Sequence, residues 1–139
     1  MSINDGDAVA MVDLKSGMVT GFGREAELDG SVVEVVLAAP DEAYVIVSNP
    51  KDPSTNVTSL VRINPQTGQM SPKLLDSRTE SNPGGGYCHR GLVVVGDHVL
   101  VGSKAPCETG IFVIDRQSGQ QLGVIHPAKL PPIAIHGVP

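Results

Sequence analysis

The chain has 139 residues, room for a single domain, and it is rich in valine, glycine and proline, with no Trp, two Tyr and two Phe. That composition suits short strands joined by tight turns and leaves few of the rings on which sugars stack. A net charge of -5 with scattered basic residues excludes a nucleic-acid surface, which needs a positive face opposite phosphate.

No apolar run reaches the roughly 20 residues of a membrane helix, so no membrane partner is expected. The start, MSINDGDAVA, lacks the basic residues and apolar core of a signal peptide. As encoded the protein reads as cytoplasmic. An extracellular or periplasmic location follows if these residues belong to a longer secreted chain.

In chain order, Asp5-Gly6-Asp7 reads as a turn, because the further spaced acids of a calcium loop are missing. Strands are predicted over 8–14 and 18–22, closed by Asp13-Leu14-Lys15-Ser16-Gly17. Residues 32–38 and 43–48 form the next pair, turning at Pro40-Asp41-Glu42. Both are almost wholly apolar, the pattern of strands covered on two faces. A polar loop with two prolines is expected over 49–59. It holds the sequon Asn56-Val57-Thr58, which matters only in a secreted eukaryotic protein.

Strands over 60–63 and 70–75 flank Asn64-Pro65-Gln66-Thr67-Gly68. Residues 76–86 read as a flexible connector. Gly84-Gly85-Gly86 is no phosphate loop, since neither a Lys-Ser/Thr pair nor a helix pattern follows. A hairpin over 87–95 and 98–103 turns at Gly96-Asp97, and strands over 111–114 and 121–125 flank Asp115-Arg116-Gln117-Ser118-Gly119. After a proline-bounded connector at 126–132, a further strand begins at 133. No segment carries helical periodicity.

The closing glycines of the three similar turns lie at 17, 68 and 119, a constant step of 51 residues. A unit of that size with four short strands matches one propeller blade, whereas a β-sandwich predicts no constant spacing. The expected fold is all-β, built of four-stranded antiparallel β-propeller blades: a half blade at 8–23, blades at 31–76 and 87–126, and an inner strand starting at 133–139. Strand-[DN]-x-x-[ST]-G-strand resembles the YVTN and pyrroloquinoline-quinone-type, WD40-like propeller repeats, and the resemblance covers nearly the whole chain. The Trp that commonly follows the glycine in quinone-type repeats is absent, which argues against that cofactor. One blade is split across the ends and three are too few to close a ring. The expected partner is therefore a second copy, giving a pseudo-six-bladed homo-oligomer, or a complementary propeller fragment.

Propellers hold ligands on the axis, where the innermost strands begin, here near Ser31, Tyr87 and Ile133. Two of these entrances carry histidine: Cys88-His89-Arg90-Gly91 and Ile135-His136-Gly137. The second resembles the Pro-His-Gly entry of YVTN-type and related lyase or lactonase propellers. His89 and His136 are candidate ligands of a divalent metal or an acid–base pair; the competing reading has each bonded to a loop carbonyl. Arg90 is a candidate contact for an anionic ligand, or a surface ion pair.

The hairpin turns about residue 97, so position 88 faces roughly 106, and Cys88 and Cys107 are expected close together. A disulfide, a metal shared with His89 and two buried free thiols are the three readings. His98 and His126 are expected in solvent. With no Gly-x-Ser-x-Gly or other nucleophile signature, the favoured function is a binding or interaction module. The alternative is a fragment of a propeller enzyme, of lyase, lactonase or oxidoreductase type, with an axial histidine site. A third is a split-gene product with no separate activity.

Overall fold

The computed structural model of the chain describes residues 7–28, 30–52, 55–80, 88–104 and 107–126. Its strands fall into three antiparallel sheets. The first pairs β1 (Asp7–Val12) with β2 (Val19–Arg24). A short helix, α1 (Glu25–Leu28), leads to a four-stranded sheet of β3 (Ser31–Ala39), β4 (Glu42–Asp52), β5 (Thr55–Ile63) and β6 (Leu75–Glu80). The third sheet holds β7 (His89–Val95), β8 (His98–Ser103), β9 (Gly110–Asp115) and β10 (Gln121–Ile125), again in chain order. The chain is all-β, as its composition implies.

The repeated pentapeptide forms one turn three times. The glycine N–H donates to the carbonyl of the opening Asp or Asn at 2.7, 2.8 and 2.8 Å for Gly17, Gly68 and Gly119. Their φ angles are 70, 77 and 73°, the left-handed region that only glycine enters without strain. Oδ1 of Asp13 and of Asn64 each accepts two turn amides, and Asp115 Oδ1 accepts the Ser118 amide and hydroxyl. Those bonds, led by the Ser16 and Ser118 amides, hold the Asp13 and Asp115 carboxyls below the ordinary Asp value. The residue pair just outside each turn also repeats: Val12 opposite Val19, Ile63 opposite Met70, Ile114 opposite Gln121.

Side chains alternate along a strand, so every sheet has two faces. On the middle sheet both are covered. Ala43, Val45, Val47, Val61 and Ile63 pack with Phe22 and Leu28 from the first sheet and its following helix. On the other side Tyr44, Ile46, Leu60 and Leu75 pack with Leu92, Val99, Val101, Phe112 and Ile114 of the third sheet. This double burial accounts for the near-continuous apolar run of β4, where a half-exposed strand would alternate.

Local departures from the sequence reading have backbone causes. The polar loop expected over 49–59 is instead the far end of the β4–β5 hairpin, whose pairing continues to Asp52 opposite Thr55. Pro50 falls within the register shift between Asn49 and Asp52, where a missing N–H is tolerated. Strand β6 begins at Leu75 rather than 70, and it takes up residues 76–80 that read as connector. Pro72 has no N–H to give. Around it the Arg62 N–H bonds Ser71 Oγ (3.0 Å), the Ser71 N–H bonds the Arg62 carbonyl (2.8 Å), and the Leu74 N–H bonds the Leu60 carbonyl (2.8 Å). Helix α1 has only four residues, too few to display a period. The Asp5-Gly6 turn, the triple glycine, Tyr87 and the strand expected from 133 lie outside the described residues.

Candidate functional site

His89 opens β7 and is 1% exposed. Its ring stands edge-on to Phe112, with centroids 5.5 Å apart and planes at 89°. Burial pushes its pKa down to about 4, and a hydrogen bond with the backbone of Gly102 acts in the opposite sense. The imidazole is thus neutral at pH 7 and closed to solvent. Its neighbour Arg90 is exposed. His136 lies outside the described residues, so its pairing with His89 has no geometry to report. Among the described residues no group of three or more His, Cys, Asp and Glu is placed to hold a metal ion.

Cys88 and Cys107 are joined by a disulfide, with sulfurs 2.10 Å and Cα atoms 5.5 Å apart. This corrects two of the three readings: the sulfurs are neither free thiols nor available to share a metal with His89. The Lys104 N–H to the Cys88 carbonyl and the Cys107 N–H to the Lys104 carbonyl, both 3.0 Å, close the same loop. His98 opens β8 just after the turn and is exposed. His126, also exposed, has Nδ1 3.0 Å from the Thr109 carbonyl and Nε2 3.6 Å from Glu108.

A polar cleft of about 650 Å³ opens where the turns of the second and third sheets meet, lined in part by Asp41, Glu42, Arg62, Asn64, Asp97 and Arg116. Arg116 Nε and Nη2 donate to the two oxygens of Glu42 at 3.1 and 2.7 Å, and Nη1 donates to the Gly96 carbonyl at 2.8 Å. Arg62 Nη1 donates to the Arg116 carbonyl at 2.8 Å, and the Tyr44 hydroxyl donates to Glu42. The Arg116 guanidinium holds the Glu42 carboxyl below the ordinary Glu value, and Glu42 raises Arg116 in return. Tyr44 is pushed up, first by burial and then by Glu42. With all three guanidinium nitrogens of Arg116 committed, the cleft serves as a clamp between sheets. Sequence reading placed Glu42 and Arg116 in turns and had no signal that they meet.

A second anchor ties β3 to β7. The Glu34 carboxylate accepts the N–H groups of Gly91 and Leu92 at 2.8 and 3.1 Å, where the β7–β8 register shifts. An acid alone inside VVEVVLA was the available signal.

Each sheet can be given a forward face, toward the next sheet in the chain, and a rear face, toward the one before. Val61 and Ile63 are rear residues of the middle sheet, and Phe112 and Ile114, 51 positions on, are rear residues of the third. All four are buried. Their counterparts on the first sheet, Ala10 and Val12, are exposed, Val12 by 52%. In the forward series Val9 and Met11 pack on the middle sheet, and Leu60 packs on the third while Arg62 bonds it. The third-sheet counterparts of Leu60 and Arg62 are Ile111 and Val113. Both are only half-buried, and neither belongs to a buried cluster of the described residues. Strand pairing places Val93, Leu100 and Ile125 on that same aliphatic face.

No protein-family model matches this chain, and no curated protein matches it.

Proposed function

We propose that this chain is a β-propeller segment, an interaction module that works by burying the faces of its sheets against protein. The observation that carries the reading is the aliphatic forward face of the third sheet, which among the described residues joins neither buried cluster although it occupies the positions that the middle sheet uses for packing. A sheet face of half-buried aliphatic side chains, with Ile125 exposed at its edge, suits a protein contact. The 51-residue step, the repeated turn geometry and the resemblance to YVTN and quinone-type repeats support blades as the identity of the sheets. The disulfide supports an oxidising compartment, extracellular or periplasmic. The axial-histidine enzyme reading draws no support from an imidazole that is buried against Phe112.

Hydroxyl-radical footprinting of the dilute protein tests the interaction reading. Ile111 and Val113 should label readily, Phe112 and Ile114 hardly at all. Equal protection of all four would show that the forward face is already covered by the chain itself and would overturn the reading.

A further inference from the structure

We propose that the partner for the open forward face is a second copy of this chain, docked head to tail through the exposed rear face of its first sheet. This rests on the interaction-module reading and names its occupant. The argument is one of matched registers. Both interfaces inside the molecule are made by one recipe: a forward pair from one sheet meets a rear pair from the next. Val9 and Met11 belong to the forward series at the first interface, with Val61 and Ile63 from the rear series. Leu60 belongs to the forward series at the second, with Phe112 and Ile114 from the rear series.

Among the described residues, one forward pair and one rear pair of the same series join neither buried cluster, Ile111 with Val113 and Ala10 with Val12. They are aliphatic on both sides, and each lies at a fixed multiple of 51 residues from a pair that is already packed. Within a single copy the described sheets set these two faces at opposite ends of the three-sheet stack, since the middle sheet packs the first on one face and the third on the other. Two copies bring them together. The contact joins unlike surfaces, so it is heterologous, the type that closes into a ring when the rotation permits.

Sedimentation velocity from nanomolar to high micromolar concentration tests this, on the full chain and on Val12→Glu and Val113→Lys. The unaltered chain should self-associate. Each variant alone should weaken association at least about a hundredfold, because every contact would then bury an unpaired charge. An equimolar mixture of the two variants should associate again, since the intact forward face of one meets the intact rear face of the other. A chain that stays monomeric at every concentration overturns the proposal, as does Val12→Glu associating like the unaltered chain, the mark of two forward faces meeting each other. In both cases the footprint of Ile111 and Val113 still reports separately whether the face is open to a different protein. Val12 is more than half exposed, so at a concentration where the unaltered chain is monomeric the two should unfold at the same urea midpoint, which excludes misfolding as the cause.

Discussion

Arg116, in the last turn of the third sheet, holds both oxygens of Glu42 at the start of β4 in the middle sheet, through bonds of 3.1 and 2.7 Å. The pair is 74 residues apart in sequence and lies across the interface between two sheets. Two-pronged guanidinium–carboxylate bonding is directional and stronger than a point-charge contact. Both side chains are about a quarter exposed, so solvent moderates the attraction. A double-mutant cycle on Glu42→Gln and Arg116→Met should give a coupling of about 1–2 kcal/mol in urea unfolding. Arg116→Lys should not restore it, since an ammonium cannot span both oxygens while also reaching Gly96. A coupling near zero would reduce the clamp to a surface pair.

Glu34 supplies the acceptor for the backbone N–H groups of Gly91 and Leu92, where the β7–β8 register shifts. Gly91 and Leu92 are both buried. Glu34→Ala should therefore cost about 2–4 kcal/mol, the penalty of stranding two buried donors. Glu34→Gln keeps one acceptor oxygen and should cost roughly half as much. Equal losses for the two variants would mean that side-chain volume, rather than the hydrogen bonds, matters here.

The buried His89 gives stability a pH dependence separate from that of the carboxyls. Its folded pKa of about 4 lies below the 6.5 of an ordinary imidazole, so the unfolded chain takes up the proton first as pH falls. The stability is complete above pH 6.5, declines through the window from 6.5 to 4, and levels off below it. Roughly 3 kcal/mol should be lost across that window. Glu42, Asp13 and Asp115 have depressed carboxyl values, so their contributions are present above the ordinary carboxyl range and are lost only at lower pH. Urea midpoints at pH 7 and pH 5 should fall for the unaltered chain and stay nearly level for His89→Leu. A parallel fall in both would assign the slope elsewhere.

The Cys88–Cys107 bridge spans 19 residues. By loop-closure entropy a bridge of that span stabilises by about 3 kcal/mol. Thiol titration under denaturing conditions should find no thiol before reduction and two after it, and the urea midpoint should drop on adding reductant. Two thiols in the unreduced protein would remove both the bridge and the compartment drawn from it.

A radial fan of sheets differs from a flat stack in the distances between its turn tips. Lys15, Gln66 and Gln117 occupy one position of the repeat and are exposed. With nitroxide labels at the three sites, a fan makes the distance from 15 to 117 shorter than the sum of the two intermediate distances. Collinear tips, with the long distance equal to that sum, would count against propeller blades.

The primary structure by itself determined the all-β class, most strand positions and the three turns. Those features are local: a glycine that tolerates positive φ, an Asp or Asn oxygen within reach of the next amides, and apolar runs that must be covered. The same residues made a 51-residue unit legible because each turn carries its own chemistry. Tertiary structure alone decided which side of each sheet is covered, that His89 turns into the core against Phe112, and that Glu42 meets Arg116 and Glu34 meets Gly91. It also decided that Ala10 and Val12 stand exposed where Phe112 and Ile114 are buried, although all four belong to one register series. The physical reason is that a strand's alternation specifies two faces but not their neighbours. Contacts between sheets depend on how separate hairpins stack, and for these pairs no short-range pattern encodes that stacking.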